Sequence, residues 1–215
     1  MIPRKGLVRA ALLAACAVAL TGCISLFPKS KPAQLYRFDA VAPASRATAT
    51  GPRVGVLKLN TVFARATGGD RMLGITGSEA AFVAESRWVA PASILFDEAV
   101  ARVFDGEGGV ARLISRGEAG SADFGLRLDM RNFEAVYLDG PKAAPTVVIR
   151  LRAVMIHSND RSLAGEKIFE ARVRAGENRV SAIVEAYNEG VGKVLTDLVG
   201  WVDGVAAATP AQGRP

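Results

Sequence analysis

Two cysteines occur among the 215 residues, and the placement of one of them, Cys23, is the clearest chemical signal in the chain. It closes Leu20-Thr21-Gly22-Cys23, directly after Ala10 to Leu20, eleven residues without a polar side chain. Small side chains at 21 and 22 let an extended backbone enter a protease cleft. A thiol at 23 is the one side chain that can form a thioether with a diacylglycerol. Cutting between Gly22 and Cys23 would also free an α-amine for a further acyl chain. Two or three such chains hold a protein firmly to a bilayer, where one holds it only marginally.

The flanking residues agree with that chemistry. Arg4, Lys5 and Arg9 supply a positive start. The eleven-residue apolar run falls short of the roughly 20 residues a bilayer span needs, and has the length of an export signal's apolar region. The stretch resembles the bacterial lipobox, so residues 1–22 are read as a lipoprotein signal peptide cleaved at Gly22/Cys23, with Cys16 lost inside it. A soluble exported protein with an incidental Cys23, or a cytosolic chain with an apolar start, stays open as the alternative. The mature chain would then hold no free thiol and no disulfide, and its core must stand without covalent staples. Ile24, rather than an aspartate, follows the cysteine. By resemblance to enterobacterial sorting, this favours an anchor in the outer membrane, with the protein facing the periplasm.

Catalytic constellations are harder to assemble. His157 is the one histidine, placed at the end of a predicted strand, so no two-histidine metal motif can form. No serine stands in a G-x-S-x-G elbow. Asp97 and Glu98 are adjacent on a predicted helix, point in different directions and read as a solvated face. The glycines of "GEGGV" lack the spacing of a phosphate cradle and read as a helix stop. The expectation is a non-enzyme with no catalytic residue, no metal and no cofactor. Two weaker features remain open. Arg150, Arg152, Arg172 and Arg174 point outward on neighbouring strands, either as a basic patch or as an ordinary solvated sheet face. Trp88 and Trp201 are either core residues or the lining of a groove for an acyl chain or a partner segment.

Composition narrows the partners. Loss of Arg4, Lys5 and Arg9 takes 27 basic residues to 24 against 21 acids, so the net charge falls from +6 to +3. No segment interleaves clustered Lys/Arg with aromatics, and nucleic acid is not an expected partner. About 190 residues remain, enough for one domain that buries roughly 70% of its unfolded surface.

The elements follow from periodicity. Residues 23–33 read as a membrane tether, 34–206 as the folded domain and 207–215 as a disordered tail. Strands are predicted at 35–40 and 53–60, with a hairpin between 71 and 85 whose turn is marked by Gly74, Gly77 and Ser78. Apolar spacing of three to four residues predicts a helix over 92–105. A short strand over 110–115 precedes a long one in which Phe124, Leu126, Leu128 and Met130 share a face. The next apolar set, Phe133, Ala135 and Tyr137, changes parity, which predicts a β-bulge near Asn132. Two further alternating strands complete an antiparallel meander. A last helix is predicted over 179–206, with Asn178 as its N-cap. Its Gly200 and Gly204 form a GxxxG, but five charged residues make the helix amphipathic rather than a membrane dimer element. The fold class is α+β, an α/β sandwich with a mixed, largely antiparallel sheet packed by two helices.

The order of segments "LYRFDAVAP", "RVGVLKL", "ESRWVAPASILFDEAVARVF", "LRLDMRNFEAVY" and "AYNEGVGKVLTDLVGWV" after a lipobox resembles the ABC-type transport auxiliary lipoproteins, the PqiC-like group associated with MCE lipid-transport systems. Arg87-Trp88 and Phe133-Glu134-Ala135 are its most telling pieces, while Tyr36-Arg37-Phe38 departs from the Tyr-Tyr or Tyr-x-Leu of many members. The resemblance implies a non-catalytic outer-membrane subunit working with an MCE-domain protein and an ABC permease and ATPase on phospholipid or a related apolar cargo. Whether such a subunit binds phospholipid itself or forms a homo-oligomer stays open. A structural or regulatory envelope lipoprotein, such as a cell-wall synthase activator or a secretion-pore assembly factor, is the competing reading.

Overall fold

The longest alternating stretch of the sequence builds the centre of the sheet. In the computed structural model, which describes residues 33–39, 53–105, 108–114, 117–118 and 120–208, strand β8 spans Phe124–Val136. It turns Phe124, Leu126, Leu128 and Met130 inward, then Phe133 and Ala135. The register against its neighbour shifts between Met130 and Asn132, so Arg131 is the extra residue of a bulge, and both apolar sets face one core. Strands β9 (Thr146–His157) and β10 (Leu163–Arg174) continue the antiparallel meander. Phe133 lies opposite Ile149, and Ile149 opposite Ala171, so inward residues meet inward residues across all three strands.

The other edge of β8 is built from short pieces. Strands β2 (Val54–Lys58), β3 (Val62–Phe63) and β4 (Leu73–Thr76) follow one another along it, all parallel to β8. Strand β5 (Glu79–Phe82) folds back on β4 across Gly77-Ser78, where Gly77 takes the left-handed φ of +59° that the tight turn requires. Strand β7 (Ala111–Ile114) lies outside β2 and parallel to it, giving the order β10-β9-β8-β2-β7. A separate parallel ribbon joins β1 (Gln34–Tyr36) to β6 (Ser86–Trp88). The crossovers β2 to β7 and β2 to β8 make the sheet mixed, and the β8–β9–β10 meander supplies its antiparallel part.

Among the described residues, two helices pack on the inner face and none covers the outer face of β8–β9–β10, which makes the fold an α+β sandwich as the periodicity predicts. Helix α1 spans Ala92–Asp105 and buries Leu95, Phe96, Ala99, Val100, Val103 and Phe104 on one stripe. The N–H groups of Ala92 and Ser93, orphaned at the helix start, donate to the carbonyls of Gly69 and Gly68. Helix α2 spans Val180–Ala208, two residues beyond the predicted end. Asn178 does not cap it: the side-chain amide donates to the carbonyl of Pro141, and tying down that loop takes the place of capping. Gly190 allows α2 to lie close on β9, since a Cβ there would stand 3.0 Å from Ile149 Cδ1. Gly200 and Gly204 face open space. Among the described residues, no helix is long and apolar enough to cross a membrane. The signal peptide, Cys23 and the tether up to residue 32, together with residues 209–215 of the predicted tail, lie outside the described residues.

An aromatic cluster joins the ribbon to the main core. Trp88 meets Phe38 and Tyr187 edge-on at 5.2 Å each, and Phe133 sits 4.8 Å from Tyr187 and 5.6 Å from Phe38. Tyr187 is fully buried, and its hydroxyl has no hydrogen-bond partner among the described residues. Burial pushes its phenol pKa up strongly, and nearby Glu134 and Tyr137 add to the shift. Removing an unsatisfied buried hydroxyl relieves a desolvation cost, so Tyr187→Phe is expected to stabilise the fold by about 1 kcal/mol. Urea unfolding of both proteins checks this, and a lower midpoint for the variant would contradict it.

Candidate functional site

The described residues enclose one notable open cleft, of about 510 Å³, between α1 and the strand pair β2–β7. The strand side contributes Arg53, Lys58 and Arg112, and the helix side Asp97, Glu98 and Asp105, with Glu118 at the rim. Leu59, Ala101, Phe104 and Leu113 supply its apolar surface. Opposite charges therefore stand on opposite walls.

Some of that charge is already committed. Lys58 Nζ lies 2.6 Å from Asp97 Oδ1, and its side chain is only 12% exposed. Thr61 adds a hydroxyl donor at 2.6 Å and a backbone N–H to the same carboxylate. Asp97 is thus not on a solvated face, as its helical position suggested; it fastens the end of β2 to α1. Its partners, the last residue of β2 and Thr61 just beyond it, stand nearly forty residues earlier, so no local pattern in the sequence marks them. Arg112 pairs with Glu118 at 3.1 Å, and Arg53 donates to the carbonyl of Gly108 at 2.5 Å. Asp203 of α2 accepts the backbone N–H of Ala111 at 2.8 Å, which holds the start of β7. Chemically, the cleft offers charge and shape for binding. Among the described residues, the side chains lining it include no histidine, cysteine or serine.

The other sequence-predicted residues are dispersed. Trp88 is 2% exposed within the aromatic cluster, so it is core and lines no groove. Trp201 is half-buried, packed edge-on against Phe169 at 5.9 Å and over Gly165, whose missing side chain leaves room for the indole. His157 sits at the end of β9 with its ring 5.0 Å from Phe124. No group of three or more metal-ligating side chains occurs among the described residues.

The four arginines do share the outer sheet face, but each meets a carboxylate. Arg152 reaches Glu166 at 2.7 Å and Asp129 at 3.3 Å. Arg150 and Arg172 both approach Glu170, at 3.6 and 2.6 Å, and Arg174 pairs with Asp139 at 3.0 Å. The hydrogen bond from Arg152 holds the Glu166 carboxyl below its ordinary value and raises the guanidinium in turn. The patch is a ladder of ion pairs rather than a field of one sign. Cross-strand pairing set this, with Glu170 opposite Arg150 in the register.

Comparison with known proteins shows the fold. No family model matches the chain, and no curated protein matches its sequence. Among solved structures it is similar to protein XCC0632 from Xanthomonas campestris, which carries the family designation DUF330. That match has 22% identity and a TM-score of 0.73, covering 81% of this chain and 97% of that one. A second crystal structure, of an uncharacterized protein, matches at 12% identity and a TM-score of 0.58, over 80% of this chain and 99% of that one. The Chlamydia trachomatis protein CT253 matches at 11% identity and a TM-score of 0.51, over 73% and 99%. Nearly the whole of each of these proteins is spanned, so the likeness is of complete folds.

Proposed function

We propose that the chain is a lipid-anchored protein of a bacterial cell envelope. In this reading it serves as a non-catalytic auxiliary subunit of an MCE/ABC-type system that moves phospholipid or a related apolar molecule across the periplasm. The observation that carries the reading is Leu20-Thr21-Gly22-Cys23 standing just before a domain with the DUF330 fold. The segment order from Leu35 to Val202 supports the finer assignment. Ile24 after the cysteine supports the outer membrane as the anchoring layer. A domain that holds its charges in ion pairs and presents a binding cleft fits a subunit that docks to others.

Crosslinking in living cells, followed by affinity capture of the tagged full chain, tests the assignment. The expected result is recovery of an MCE-domain protein or an ABC permease. Repeated recovery of a cell-wall synthase or a secretion component instead would move the chain to the structural or regulatory class.

A further inference from the structure

The ribbon β1–β6 has two unlike faces. Its register places Leu35 beside Arg87, and the ladder continues as Val89 N–H donates to Tyr36 O at 2.7 Å. Strand alternation therefore sends Phe38, Ser86 and Trp88 into the core, at 1, 4 and 2% exposure. The same alternation turns Leu35, Arg37, Arg87 and Val89 outward. Leu35 is 65% exposed and Val89 53%, and Ile94, on the first turn of α1, is 50% exposed. On the ribbon itself, Leu35 and Val89 leave two large aliphatic side chains in water on one face, which packing does not explain.

The position of that face in the chain identifies its occupant. Leu35 is twelve residues from Cys23, so a fully extended backbone could carry it at most about 40 Å from the anchored residue. No other element of the domain lies so near the anchor in sequence. Charge agrees: Lys29 and Lys31 precede the ribbon, and Arg37 and Arg87 flank the aliphatic residues. Arg37 is matched by Asp39 at 2.6 Å and Arg87 by Asp70 at 2.5 Å, Glu85 just before β6 leaves these groups at −1, and Lys29 and Lys31 earlier in the chain bring the sum to +1. An apolar face with a nearly neutral surround, preceded in the chain by two lysines on the way to the anchor, suits the headgroup boundary of an anionic bilayer. We propose that the outer face of β1–β6, centred on Leu35 and Val89, rests on the surface of the bilayer that holds the lipid anchor, and so fixes which side of the domain faces its partners. The inference rests on the lipid-anchor reading. The contact is weak in itself and is sustained because the anchor makes it intramolecular.

The test uses the full lipidated chain in vesicles of phosphatidylethanolamine and phosphatidylglycerol. With Cys16 removed and Cys23 acylated, Val89→Cys carries the only thiol and takes an environment-sensitive dye. Ile168→Cys, 48% exposed on the outer face of β10, is the comparator. Brominated lipid is expected to remove about half of the fluorescence at 89 and less than about a tenth at 168, as insertion by 5–10 Å implies. Leu35→Glu should return the dye at 89 to water. Equal quenching at both positions would overturn the proposal, as would a dye at 89 that is shielded but unquenched, because a protein would then cover the face. A chain that does not float with vesicles at all refutes the anchor reading itself, and this inference with it.

Discussion

Trp88→Ala is expected to cost the domain about 4 kcal/mol, close to a thousandfold in the folding equilibrium. The indole is the hub of the aromatic cluster: it meets Phe38, Phe133 and Tyr187, which come from the N-terminal segment, the central strand and the last helix. Alanine leaves a cavity where three separate parts of the chain meet, and the surroundings can close it only by moving one of them. The part free to move is the N-terminal segment, held by a three-residue strand, the seat of Phe38 and the bond from Asp39 N–H to Asn188 Oδ1. Guanidinium unfolding followed by far-ultraviolet circular dichroism measures the loss, and limited proteolysis should show earlier cleavage near Phe38. Trp201→Ala, at a half-buried site, should cost about 1–2 kcal/mol. A larger effect at 201 than at 88 would contradict the assignment of Trp88 as the hub.

Cys23→Ser is expected to abolish lipid attachment while leaving the domain folded. A hydroxyl cannot take the thioether, so the leader stays on and no α-amine is freed for acylation. Growth with a clickable fatty acid should label the native chain and not the variant, and the variant should run as the longer precursor. Membrane residence follows the number of acyl chains, so under the proposed outer-membrane address the fraction recovered there should fall by at least about tenfold. The core that holds the domain lies between Phe38 and Ala206, and its circular dichroism should not change. Acyl label retained on the serine variant would refute the lipobox reading.

The fold was legible where the signal was local. Alternation located β8, β9 and β10, and the parity change at Asn132 announced the bulge that the register shows between Met130 and Asn132. The helical stripe placed α1 at residues 92–105, its observed span. The parallel strands were less legible. β3 has two residues and β6 three, too few for a period, and each becomes a strand because a distant partner, β8 or β1, offers its edge. The cleft was not legible at all, since its walls come from α1, β2 and β7, and no spacing in the chain brings Lys58 to Asp97.

The sequence alone therefore carries the proposed address, a thiol behind a stretch that resembles an export signal, and determined the local elements: two amphipathic helices and a meander with a bulge near Asn132. These depend on neighbours within a few residues, which the chain order states directly. Only the tertiary structure decided the roles. It placed Trp88 in the core, bonded Asn178 to Pro141, tied Asp97 to β2 and set a carboxylate beside each of the four outward arginines. It also left Leu35 and Val89 exposed. Burial and pairing are properties of residues brought together from far apart, and they exist only once the sheet and helices have closed on one another.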